Sequence, residues 1–256
     1  MAYFVMIPYA VLLAVGLFIW AFFTVRRWIK GPYVPVEHAT KGAFALLPGG
    51  AQDGGYWFLE KLVAVYVRAG ISPNHLTILG STMGLASAAC LALGAFEAGG
   101  VLLLFSARVD GSDGWPARRT GRQTAMGGFI DSCLDRYVDA SLYLGLAIYY
   151  RELWWMMVAC MVCASFSQMV SYVRAKAEAA GVECKYGMAQ RVSRIFWLTL
   201  ALGVSPLLVP YLEPGAERPF HHTVAGVIAT TAVFALLGSL QRLVGSARRI
   251  DALERS

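Results

Sequence analysis

Tyr3 to Thr24 runs for 22 residues without a charged side chain, and apolar runs of similar length recur down the chain. About 20 apolar residues are what a helix needs to cross the hydrocarbon core of a bilayer. Five such runs and two interrupted ones in 256 residues predict an all-α integral membrane protein, not a soluble domain. The composition agrees, with 57% of residues apolar and 15% charged, at a mean hydropathy of +0.55.

Taken in order, residues 1–30 read as a retained N-terminal anchor, because the apolar run is longer than a signal-peptide core and its positive charges, Arg26, Arg27 and Lys30, follow it. Residues 31–70 read as a linker on the membrane surface followed by an amphipathic segment, Tyr56 to Ala69. That segment is either a helix resting at the headgroups or an ordinary linker helix. Residues 71–245 hold six further spans. Ser72-Pro73-Asn74 supplies a helix start, with Ser or Asn as cap, before Leu76 to Phe96. Gly99 and Gly100 then mark a turn back into a span from Ala98 to Arg119. Thr124 to Tyr149, Leu153 to Val173, Ile195 to Leu212 (extended back to Gly187) and Thr223 to Leu240 complete the set, leaving 246–256 as a tail.

Basic residues test the orientation of these spans. Arg26, Arg27, Lys30, Lys41, Lys61, Arg68, Arg119, Arg122, Lys185, Arg248 and Arg249 fall on one side, and only Arg151 and Arg218 on the other. The first side is then cytoplasmic and the N-terminus outside, with Tyr149, Tyr150, Trp154 and Trp155 as the opposite aromatic belt. The net charge of +6 follows from this asymmetry and does not call for nucleic acid as a partner. The five cysteines show no framework spacing and read as buried small hydrophobes, Cys160 and Cys163 included.

Against this apolar background, Asp110, Asp113, Asp131 and Asp135 fall within 26 residues. Ionisable groups at membrane depth are costly and mark functional sites. Asp110 and Asp113 are three apart on one helix, Asp131 and Asp135 four apart on the next, so two antiparallel neighbours can aim four carboxylates at one point. Without a counter-ion such charges repel; bound to Mg²⁺ or Mn²⁺, hard cations that prefer oxygen, they stay ionised. A pair of such metals suits the clamping of a pyrophosphate during in-line displacement. Gly114, Ala117 and Gly127 leave room for a ligand to reach backbone, and Arg118 offers a bidentate phosphate donor. Gly128 reads instead as a helix-packing glycine.

These residues stand in the pattern DxxDGxxARx8GxxxDxxxD, which resembles the signature of the CDP-alcohol phosphotransferases. The resemblance covers Ile71 to Leu240, including Pro73-Asn74-x-Leu76-Thr77 at the start of the first core helix, and implies a six-helix core, with Tyr3 to Thr24 as an additional helix. It implies transfer of a phospholipid group from a CDP-linked lipid to an alcohol with release of CMP, in a homodimer. By position it makes Asp110, Asp113 and Asp131 metal ligands and Asp135 both ligand and general base. Gly114, Ala117, Arg118 and Gly127 match residues lining the nucleotide site. Pro116, between Gly114 and Ala117, departs from the usual pattern and is expected to kink its helix and turn the Ser112 carbonyl towards the site.

The acceptor is less constrained. Arg174, Arg191 and Arg194 lie at the level of the aspartates, and these stretches look like those of members using a phosphorylated polyol such as inositol phosphate or glycerol phosphate. Snorkelling arginines beside a non-phosphorylated acceptor such as inositol or serine would read the same way. Asp139, one turn beyond Asp135, is expected to pair with a core polar group or Arg108 and not with metal, and His221 and His222 are assigned no role. An intramembrane prenyltransferase carries its aspartate motifs further apart, and a divalent-cation transporter would spread its acids over many depths.

Overall fold

The computed structural model describes residues 17–33, 72–119, 124–182 and 191–255, with 53, 54, 57, 60, 61, 64, 65 and 68–70 between the first two stretches. Of residues 108–119 the backbone alone is described. Among the described residues every regular element is an α-helix. Residues 17–30 form an N-terminal helix, and six longer ones follow: α1 (Pro73–Ala92), α2 (Phe96–Arg119), α3 (Ala125–Tyr149), α4 (Trp154–Ala179), α5 (Arg191–Leu212) and α6 (His222–Glu254).

Among the described residues, four helical segments are long and apolar enough to cross a membrane: Asn74–Ala92, Trp154–Ala179, Ser193–Leu212 and His222–Glu254. Their outward faces carry large apolar side chains, among them Leu79, Met161, Trp197 and Val233. In water such a surface would be a liability; in lipid it is the ordinary exterior. The helices α2 and α3 have the length to span but carry the acids.

Contacts divide the chain into two compact units, one of Met1–Thr82 and Phe105–Ser132, the other of Met83–Leu104 and Cys133–Ser256. In the first, the N-terminal helix packs on the segment that follows it. Asp53, buried and helical, pairs with Arg27 at 3.3 Å, Phe23 packs against Trp57 with centroids 5.6 Å apart and the rings tilted by 50°, and Tyr33 donates to Glu60. The linker expected to continue to Gly55 therefore already contains helix at 53 and 54, held by a buried carboxylate. Ser72 caps α1 as expected: its Oγ accepts from the His75 N–H at 3.4 Å, with Pro73 in the first helical position.

In the second unit the turn after α1 falls earlier than Gly99 and Gly100. Gly94 takes the left-handed conformation (φ +81°) while the Ala95 N–H reaches the Cys90 carbonyl at 2.8 Å and its own N–H reaches Leu91 at 3.1 Å, a Schellman close. Gly99 and Gly100 instead lie inside α2. A Cβ at Gly99 would stand 2.8 Å from Leu91 Cδ2, and its carbonyl accepts from Ser87 Oγ at 2.7 Å, so this glycine lets α2 approach α1. The last helix also continues fourteen residues past Leu240, to Glu254, because its polar end is packed: Arg242 and Ser246 are buried, and Arg242 Nη1 donates to the Val170 carbonyl at 3.1 Å. Cys160 and Cys163 are buried as expected, Cys163 Sγ donating to the Ile228 carbonyl. Tyr150 does not join an aromatic belt. It is buried, and its hydroxyl and that of Tyr149 donate to Phe220 and Pro219 carbonyls, tying the loop after α3 to the loop before α6. Trp154 and Trp155 remain exposed.

Candidate active site

The helix that carries half the signature begins with a side-chain cap. Thr124 Oγ1 accepts from the Gly127 N–H at 3.0 Å, starting α3 three residues before that glycine. Gly127, Asp131, Asp135 and Asp139 then recur every four residues along α3, on one stripe. A Cβ at 127 would stand 3.0 Å from Thr124 Oγ1 and 3.1 Å from Asn74 Oδ1, so glycine leaves two side-chain oxygens uncovered there. Gly128 is not the packing glycine expected: it is exposed, and a Cβ would meet nothing within 4 Å among the described residues, because this face of α3 points outward.

Further along α3, Asp135 and Asp139 meet the start of α5. Arg191 Nη2 lies 2.9 Å from Asp135 Oδ1, and Arg191 Nε 3.1 Å from Asp139 Oδ1. Arg194 Nη2 closes the group at 2.9 Å from Asp139 Oδ2. Two acids and two guanidiniums balance in charge, which is what lets ionised groups remain where water is scarce. Burial is graded: side-chain exposure is 22% for Asp135 and 27% for Arg191, but 7% for Asp139 and 3% for Arg194. The partners of Asp139 are thus Arg191 and Arg194. Arg108, the other candidate, has its side chain outside the described residues.

Asp110, Asp113, Gly114, Ala117 and Arg118 fall on the backbone of α2, which continues through Ser112 and Pro116 to Arg119; their side chains, and those that would surround the Ser112 carbonyl expected to turn towards the site, lie outside the described residues. Arg174 is exposed near the end of α4 and pairs with Glu178 at 2.8 Å. Among the described side chains, which exclude Asp110 and Asp113, no three acids, histidines or cysteines converge. The donors that are described suit a hard divalent ion: Asp131 and Asp135 are carboxylates one turn apart, and Asp135 already takes a cationic group, the Arg191 guanidinium, as neighbour. What the sequence alone did not reveal is the link between Asp139 and the α5 arginines. Its partners stand 52 and 55 residues away, and no local pattern announces such a pair.

Residues 70–239 match the CDP-alcohol phosphatidyltransferase family, and the whole signature falls inside that stretch. The chain belongs to this family. Among the curated relatives of this chain is the phosphatidylinositol phosphate synthase of Mycobacterium tuberculosis (strain ATCC 25618 / H37Rv), 33% identical over 149 residues. That alignment covers 54% of this chain and 66% of the relative, just under two thirds of its length. The archaetidylinositol phosphate synthase of Methanothermobacter thermautotrophicus is 35% identical over 150 residues, covering 58% of this chain and 75% of that one. The mycobacterial enzyme solved with CDP-DAG bound superposes with a TM-score of 0.63 at 26% identity, over 73% of this chain and 92% of that one. In complex with manganese and citrate it gives 0.62 at 27% identity, over 73% and 88%.

Proposed function

We propose that this chain transfers a phosphatidyl group from CDP-diacylglycerol, or a related CDP-linked lipid, to a hydroxyl of a phosphorylated polyol, with inositol phosphate first among candidates. The observation that carries this reading is the complete signature inside a family match whose similar members are named inositol phosphate-type synthases. The acceptor hydroxyl oxygen attacks the phosphatidyl phosphorus, the bond from that phosphorus to CMP breaks, and CMP leaves. Asp135 takes the hydroxyl proton, a task suited to a partly exposed carboxylate. Gly114, Ala117, Arg118 and Gly127 hold the CDP group, the small residues by admitting it to backbone and Arg118 by pairing with phosphate.

Asp110, Asp113, Asp131 and Asp135 are proposed to hold Mg²⁺ or Mn²⁺, two per site. When bound, these ions neutralise the pyrophosphate as charge develops on the departing CMP. Arg174, Arg191 and Arg194 are proposed for the acceptor's anionic group. In this reading the six helices α1–α6 all span the membrane as the catalytic domain of residues 71–245, the N-terminal helix adds a seventh span, and residues 31–70 lie at the surface. The one-sided distribution of arginine and lysine supports an external N-terminus, a cytoplasm-facing site and a cytoplasmic end at 246–256. The protein is proposed to act as a homodimer in the membrane.

The test is a competition among acceptors. Protein in lipid is given CDP-diacylglycerol, Mn²⁺ or Mg²⁺, and an equimolar mixture of inositol phosphate, glycerol phosphate, inositol and serine, and the lipid products are identified by mass. Phosphatidylinositol phosphate as the main product supports the proposal. A product from inositol or serine alone would remove the phosphorylated acceptor, and divalent-cation flux without any CMP would favour a transporter.

A further inference from the structure

Beside the site, the mechanism leaves the buried acid Asp139 without a task. Asp139 lies one helical turn beyond the proposed base, is sealed to 7% exposure, and spends its two oxygens on two different arginines. A metal role does not suit it, since both oxygens already face guanidinium groups. A role in stability alone does not suit it well either, because an apolar set of equal volume generally packs as stably as a buried ion network.

We infer that Asp139 is a positioning residue for the acceptor: it sets the Arg191 guanidinium, and through that the spacing between the acceptor's phosphate and the hydroxyl presented to Asp135. The inference rests on the reading of Arg191 as an acceptor-binding group. Arg191 Nε is fixed by Asp139 at 3.1 Å while Nη2 of the same planar group reaches Asp135 at 2.9 Å. A guanidinium held at two of its nitrogens has no rotation left about its own plane, which an ammonium in its place would keep. Arg194, at 3% exposure, balances the second oxygen of Asp139 and so keeps that carboxylate from turning away. The consequence is selectivity. Arg191 is a fixed positive point, partly open to the outside and 2.9 Å from the base, and a polyol carrying a phosphate at the matching distance is oriented before it reacts. An unphosphorylated polyol has no charge to pair with it.

The experiment compares wild type with Asp139→Asn and Asp139→Glu in lipid, reading KM for inositol phosphate, KM for CDP-diacylglycerol, kcat and the rate with inositol. Asp139→Glu keeps the buried charge if Asp139→Asn fails to fold, and displaces the carboxylate by one methylene. Both variants are expected to raise the acceptor KM about tenfold or more, leave the CDP-diacylglycerol KM within about twofold, and lower the preference for inositol phosphate over inositol. Combining either with Arg191→Lys is expected to add little, because both changes act through the same guanidinium. Equal movement of both KM values, or an unchanged acceptor KM, would overturn the inference while leaving the acceptor assignment standing. A wild type that never saturates with a phosphorylated polyol yet turns over inositol would overturn both.

Discussion

Arg191 Nη2 and Asp135 Oδ1 lie 2.9 Å apart, so the proposed base of the reaction shares a cation with its buried neighbour Asp139. Asp135→Asn keeps the shape of that contact but cannot take a proton. The turnover rate is expected to fall by roughly 10²- to 10⁴-fold, measured as CMP release, with thermal stability close to wild type because the side chain is partly exposed. A variant retaining full rate would take the base role from Asp135.

Close helix packing sets a second expectation. Gly145 on α3 lies so near α1 that a Cβ would collide with the Ala88 carbonyl oxygen and stand 3.1 Å from its carbon. Gly145→Ala is expected to destabilise by about 1–3 kcal/mol, read as a lower Tm in detergent. Gly128→Ala, on the open face of the same helix, should leave Tm unchanged or slightly higher.

Acid should loosen the loop before α6. His221 sits outside the helices, buried, stacked on Phe96 at 3.8 Å and hydrogen-bonded to Ser205 at 2.7 Å. Burial pushes its pKa down to about 4, with the nearby Glu213 opposing. The unfolded chain therefore takes up a proton near 6.5 that the folded chain refuses, so the contribution is full above that pH and fades as pH falls towards 4. Burial alone would raise Glu213, but hydrogen bonds from the Phe220 N–H, His222 and the His221 N–H hold it below its ordinary 4.5, so its contribution is lost only at lower pH. Between pH 7 and 5 the drop in Tm should come from His221. Asn tolerates the positive φ of 54° at this position, so His221→Asn should flatten the slope; an unchanged slope would place the titration elsewhere.

The N-terminal helix has its own anchor. Arg27 pairs with Asp53, whose side chain is 5% exposed, and a Cβ at neighbouring Gly54 would stand 3.2 Å from Phe23. Asp53→Ala leaves Arg27 without that counter-ion and should loosen the helix from the following segment, by about 1–3 kcal/mol. Limited proteolysis after residue 30 should then speed up while CMP release changes little.

Much of this was legible because lipid imposes a simple grammar. Uncharged runs such as Leu76 onward became helices, and Ser72-Pro73 opened α1 where the pattern put it. Asp110 to Asp135 stood out because acids are rare in such surroundings. What escaped was decided by contacts between distant residues. Gly94 and Gly99 are both glycines near one turn, and only packing against Leu91 and Ser87 separates the one that ends a helix from the one inside it. The extension of α6 depends on Arg242 finding the Val170 carbonyl, and the role of Asp139 on arginines more than fifty positions away.

The central claim is tested most directly by CMP release from CDP-diacylglycerol and inositol phosphate, followed with Mn²⁺ or Mg²⁺, after chelation, and after the metal is returned. The account predicts one CMP per lipid product, loss of release on chelation, recovery on return of metal, and no recovery in Asp135→Asn. Release that persists without divalent metal, or that does not depend on inositol phosphate or any other alcohol, would contradict it.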